Sequence, residues 1–186
     1  MRLLLATRNA HKLRELERLI PRVELDPLPE AVEVPPETGD TYAANALIKA
    51  RAAARATGRA AVADDSGIEA EALGWAPGVR TARYAGPSAT DAENLARFGA
   101  EVPAGSRLRY VCVIAHATPT GEETLFRGTC AGTMAAARAG EGGFGYDPVF
   151  VPDGGTRTMA ELSDGEKDAI SHRGHAARAL GEWLGV

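Results

Sequence analysis

Apolar positions along the chain follow two rhythms, short runs or alternations that suit strands and a three-to-four spacing that suits helices. Arg2 to Ala6 (RLLLA) reads as a buried strand. Leu13, Leu16, Leu19 and Ile20 then share one face of a helix, which Pro21 stops. Val23 to Leu28 suggests a second strand, and a Pro- and Glu-rich connection follows from Pro27 to Gly39. An Ala-rich helix runs to about Thr57, with Asp40 or Thr41 able to cap it and Gly58 as its stop. Ala60 to Ala63 reads as a buried strand that breaks off in Asp64-Asp65-Ser66-Gly67.

Beyond that break, Ile68 to Leu73 reads as a further strand or a hairpin arm. Gly74 to Gly86 is a loop in which Trp75 and Tyr84 serve as packing anchors. Ser88 or Thr90 caps a short helix through about Phe98. Leu108 to Ala117 and Glu123 to Ala135 alternate as two long strands joined at Pro119-Thr120-Gly121. A Gly-rich turn at 141–148 precedes the strand Val149 to Val151. A polar turn and a helix ending near Trp183 close the chain.

With 45% apolar and 25% charged residues, 186 residues suit a single soluble globular domain spanning 1–186. The net charge of −4 provides no global basic field for nucleic acid or an anionic membrane, so any phosphate must be bound by a local site. Met1 leads straight into a strand pattern without a signal peptide, and no apolar run is long enough to span a membrane. A cytoplasmic location is expected. Cys112 and Cys130 lack metal-ligand spacing and read as buried thiols. Of 21 basic residues, 18 are Arg; Lys occurs only at 12, 49 and 167, which draws attention to those positions.

Chemistry concentrates in a few stretches. Two adjacent carboxylates repel, and a divalent cation or a proton can settle their charge; a polar loop bonding its own backbone is the plainer alternative. Thr7 to Lys12 lies between a strand and a helix, where free N–H groups bind phosphate; Thr7 or Asn9 could equally be a simple cap. Asn45 and Lys49, four apart, share a helix face. Glycines at 142–145 permit close approach to a flat ligand, and Phe144 or Tyr146 can stack on it. Lys167, His172 and Arg173 form a cationic, donor-rich patch, disfavoured as a mere helix start by the helix dipole. His116 reads as structural.

Taken together, T-R-N-A-H-K at 7–12, E-T-G at 37–39, N-A-L-I-K-A at 45–50, D-D-S-G at 64–67, G-G-F-G-Y-D-P at 142–148 and E-K-D-A-I-S-H-R at 166–173 resemble the inosine/xanthosine triphosphate pyrophosphatase (Ham1-like) family. All three lysines fall inside these motifs. The resemblance implies an α/β fold: a long central mixed β-sheet flanked by helices, with two lobes around a substrate cleft. It implies magnesium-dependent hydrolysis of ITP, XTP and their deoxy forms to monophosphate and pyrophosphate, by a homodimer.

By the same resemblance, Thr7, Arg8, Asn9, Ala10, His11 and Lys12 grip the triphosphate, reached also by Lys49. Glu37 and Asp65 hold magnesium, Asp65 is the base for the attacking water, and Ser66 touches the substrate. Phe144 stacks on the purine, with Gly145, Tyr146 and Asp147 completing that wall, and Lys167, His172 and Arg173 read the base edge. A Maf-like pyrophosphatase acting on other bases and a non-catalytic nucleotide sensor are the rival readings.

Overall fold

In the computed structural model, which describes residues 1–186, β1 (Arg2–Leu5) and β2 (Glu24–Pro27) pair in parallel with α1 (Ala10–Leu19) as their crossover. After the extended connection comes α2 (Tyr42–Thr57), capped by the Thr41 hydroxyl and stopped by Gly58 at φ +65°. β3 (Ala61–Ala70) pairs in parallel with β1, and β4 (Ala76–Pro77) joins its far end antiparallel. α3 (Asp91–Glu101) starts from a reciprocal Thr90–Glu93 capping box. β5 (Arg107–Ala117), β6 (Glu123–Met134) and β7 (Phe150–Pro152) follow, then α4 (Asp164–Ile170) and α5 (His172–Leu184). The seven strands form one mixed sheet in the order β2-β1-β3-β5-β6-β7, with β4 beside β3. A mixed sheet flanked by helices is the fold the motifs implied.

The main departure from the sequence reading is at β3. It does not break at Asp64-Asp65 but runs through them to Ala70, absorbing the separate strand expected from Ile68. Successive strand residues face opposite sides, so the two carboxylates diverge instead of colliding, and each meets its own donors. Lys167 also lies in a helix of its own, α4, started by a Ser163–Glu166 capping box. Trp75 remains 42% exposed beneath the Arg109 guanidinium, 4.8 Å from its ring centre, while Tyr84 does pack edge-on against Phe98.

Contacts divide the chain into two units; β3, β5 and β6 supply residues to both. The first comprises 1–65, 112–128 and 173–186. It has three layers, because alternate strand residues feed two cores. Leu3, Leu5, Val62, Cys112 and Ile114 pack with Leu16 of α1, with Ile20 at its C-terminal cap, and with Ala176, Ala177 and Leu180 of α5. Leu4, Ala6, Ala61, Ala63, Ala115 and Ala117 pack with Ala46, Ala50, Ala53 and Ala54 of α2. Small residues on both sides let α2 lie close to the strands. By the same alternation Asp64 follows Val62 toward α1 and α5, and Asp65 follows Ala63 toward α2.

The second unit, 66–111 with 129–172, has one core. Phe98 of α3, Tyr110 of β5, Met134, Tyr146, Phe150 and Met159 fill it, with Tyr146 edge-on to Phe98 at 5.0 Å.

Candidate active site

In the first unit β1 ends at Leu5 and α1 begins at Ala10, leaving residues 7–9 as an exposed turn. Asn9 is the cap: its Oδ1 accepts from the amides of His11 (2.9 Å) and Lys12 (3.2 Å). Thr7 Oγ1 accepts from the Asn9 amide at 3.2 Å. The His11 ring meets Arg14 instead of pointing away alone, with 2.9 Å between Nδ1 and Nη2. Arg8 is engaged elsewhere, donating to the carbonyls of Leu28, Pro29 and Val32 and fixing the connection after β2.

Asp64 is fully buried. Its Oδ2 accepts from Lys12 Nζ at 2.9 Å and Arg173 Nη2 at 3.2 Å. Arg173 Nη1 donates to Glu15 Oε2 at 2.5 Å. Burial alone pushes Asp64 toward protonation, but the charges of Lys12, Arg173 and Lys49 outweigh it and hold the carboxyl well below its usual range. Cys112, 4.0 Å away, is pushed to about 12 by burial and then by Asp64, so it stays a thiol. Arg173, expected at the base edge, is thus a buried counter-ion of Asp64. It does start a helix, and the adjoining Glu15 and Asp64 carboxylates offset the unfavourable dipole.

Asp65 has a different setting. Its Oδ2 accepts from Asn45 Nδ2 at 3.0 Å, and Asn45 Oδ1 accepts from the Gly39 amide at 2.8 Å. The buried Asn45 therefore ties the 37–39 stretch to the strand. Gly39 is demanded by the close approach: a Cβ there would lie 2.6 Å from the Ala44 Cβ and 2.9 Å from Asn45 Oδ1. Lys49, one turn after Asn45, donates to Glu37 Oε1 at 2.5 Å and to the Asp64 carbonyl at 2.7 Å. Burial raises the Asp65 pKa, and the neighbouring Glu37 charge raises it further, against the pull of Lys49 and Lys12. Lys49 itself is held up by Asp64 and Glu37 despite its burial.

Glu37 and Asp65 are thus two carboxylates close enough to couple, one of them raised in pKa by burial and by the other. No cluster of three or more His, Cys, Asp or Glu side chains forms a complete metal cage. Two carboxylates without a cage fit a hard cation that fills its shell with water and phosphate oxygens, as magnesium does.

In the second unit Ser66 is half-buried immediately after Asp65, and the Gly-rich turn carries a second cluster. The Asp147 carboxylate is its hub: Oδ2 accepts from Lys167 Nζ at 2.7 Å and the Phe144 amide at 3.0 Å, and Oδ1 from the Tyr110 hydroxyl at 3.0 Å. Lys167 Nζ lies 5.2 Å from the centre of the half-buried Phe144 ring. Gly143 and Gly145 take φ +68° and +62°, the backbone the turn needs. Tyr146, expected in the same wall, is a core residue, its hydroxyl donating to the Thr81 carbonyl at 2.8 Å. The His172 ring stacks on Tyr110. The expected cationic patch therefore resolves into separate partnerships, Lys167 with Asp147, His172 with Tyr110, and Arg173 with Asp64 and Glu15.

Sequence reasoning missed Glu15, Asp64 as a charge hub, and Tyr110. An acid at 15, three residues after Lys12 among the apolar positions of α1, was the one available signal for the first.

The Ham1 family model matches residues 3–183. The dITP/XTP pyrophosphatase of Mycobacteroides abscessus is 47% identical over 192 residues, covering 97% of this chain and 93% of that protein. The dITP/XTP pyrophosphatase of Symbiobacterium thermophilum is 53% identical over 188 residues, with 96% and 93% covered. Among solved structures, a HAM1 protein from Coxiella burnetii superimposes with a TM-score of 0.88 at 40% identity, covering 99% of this chain and 98% of that one.

Proposed function

This chain belongs to the Ham1 family, and from that premise we propose that it hydrolyses deaminated purine nucleoside triphosphates, ITP, dITP, XTP and dXTP, to monophosphate and pyrophosphate. The observation that carries the chemistry is the unlike state of two adjacent carboxylates. Asp64 is held anionic by buried cations and cannot act as a base with useful strength. Asp65, with a raised pKa, is the better proton acceptor. It takes the proton of the attacking water as the α–β anhydride bond breaks and pyrophosphate leaves.

Glu37 and Asp65 would hold magnesium, which when bound neutralises phosphate charge and polarises the scissile anhydride. Lys12 and Lys49 turn their ammonium groups to the phosphates, and the turn at 7–11 supplies further donors. When Lys12 does so, Arg173 remains on Asp64, so the buried carboxylate keeps a counter-ion. The purine lies on Phe144, and Lys167 and His172 supply donors to a 6-keto oxygen. Adenine offers an amino donor at that position, which would leave a buried donor opposite a donor and cost affinity. A homodimer and a cytoplasmic setting belong to the same reading.

The test is pyrophosphate release from ITP, XTP, GTP and ATP, each with and without magnesium. Magnesium-dependent release from ITP and XTP, with little from ATP, is expected, and GTP, which shares the 6-keto oxygen, shows whether the 2-position is read as well. Preference for another nucleotide would overturn the base reading, and binding without release would make the protein a sensor.

A further inference from the structure

We infer that Tyr110 is a positioning residue for base recognition, the buried brace that holds both His172 and Asp147 in place. This rests on the reading that Phe144, Asp147, Lys167 and His172 receive the purine. Tyr110 sits within β5, where its backbone is fixed by the sheet, and its side chain is buried. Its ring lies flat on the His172 imidazole, centres 4.5 Å apart and planes 9° from parallel, and also packs on Phe150 at 4.5 Å. Its hydroxyl donates to Asp147 Oδ1 at 3.0 Å.

That hydroxyl holds the one Asp147 oxygen that Lys167 and the Phe144 amide leave. The carboxylate's other oxygen takes Lys167 Nζ and the Phe144 amide, so three donors from three chain segments converge on one buried group. A satisfied buried carboxylate is rigid, whereas one left short of a donor rotates or draws water in. The segments it organises need this support. Gly143 and Gly145 give the turn around Phe144 little intrinsic order, and His172 is the first residue of α5. Tyr110 fastens both to the sheet, one by stacking and one by a hydrogen bond. Phe150 and Phe98 fill the same core without reaching a polar group, so bulk alone does not account for a tyrosine at 110.

The two contributions separate cleanly by substitution. Tyr110→Phe keeps the ring and removes the hydroxyl; Tyr110→Leu removes both. Steady-state kinetics with ITP and ATP in magnesium are measured on the full chain, beside thermal midpoints and Phe144→Ala. The expected result for Tyr110→Phe is a KM for ITP raised about tenfold, kcat within about twofold, and an ITP-over-ATP preference lowered in proportion. Tyr110→Leu raises KM further. If Tyr110→Phe leaves KM and preference unchanged while Phe144→Ala raises KM, Tyr110 is merely a core residue and the inference fails. The same holds if Tyr110→Phe lowers the rate on both nucleotides alike. If Phe144→Ala also leaves KM unchanged, the base-site reading falls, and the inference with it.

Discussion

Because alternate strand residues face opposite layers, Asp64 meets cations from α1 and α5 while Asp65 meets an amide and a lysine from α2. Breaking a buried ion pair leaves the other charge without compensation. Asp64→Asn removes the anion that Lys12 and Arg173 share and leaves their charges uncompensated, which is expected to cost about 3–5 kcal/mol in denaturant unfolding. Its lowered pKa gives the matching pH sign: the stability it contributes is present above the ordinary aspartate range and is lost as pH falls through the native value. Asp65 behaves in the opposite sense. Burial and Glu37 raise its pKa, so in metal-free protein it takes up its proton on acidification at a higher pH than an ordinary aspartate does. Glu37→Gln removes an anion beside it, which makes ionisation easier. The Asp65 carboxyl pKa, followed by carbon NMR in metal-free protein, should therefore fall; a rise would contradict the arrangement.

At the scale of elements, α1 presents Lys12 and Glu15 on one face, so a single helix supplies one cation to Asp64 and the anion that steadies the other. α2 does similar work with Asn45 and Lys49. Gly39 is the joint that lets the 37–39 stretch lie against α2. Gly39→Ala should displace Glu37, raising the magnesium concentration needed for half-maximal rate at least fivefold with a stability cost of about 1–3 kcal/mol. A magnesium titration beside a melting curve checks both. These elements were largely legible in the sequence, since caps at Thr41 and Thr90, the stop at Gly58 and the long strands β5 and β6 are written in local pattern. The i, i+4 face of Asn45 and Lys49 was legible for the same reason. What local pattern could not give was charge pairing across distance. Glu15 and Arg173 stand 158 residues apart, so neither announces the other, and Asp64-Asp65 looked like a strand end because its neutralising partners were invisible.

For the whole molecule, three strands carry residues into both units. One cooperative transition is expected. The two tryptophans report on it separately: Trp183, packed on His116 and Phe126, lies in the first unit, and Trp75 in the second. Single-tryptophan variants should give coincident denaturant midpoints, and separated midpoints would mean independent units. The family resemblance supplied the reaction, and the folded chain adds the partners its residues keep: Arg173 bonds Asp64 and Glu15, Arg8 fastens the connection after β2, and Tyr146 packs in the core. The division of labour between Asp64 and Asp65 is best examined through ITP turnover by Asp65→Asn. A fall of at least a thousandfold, with the thermal midpoint and nucleotide binding retained, is what their environments predict. Turnover near the wild-type rate would mean that the raised carboxyl at 65 is not the base.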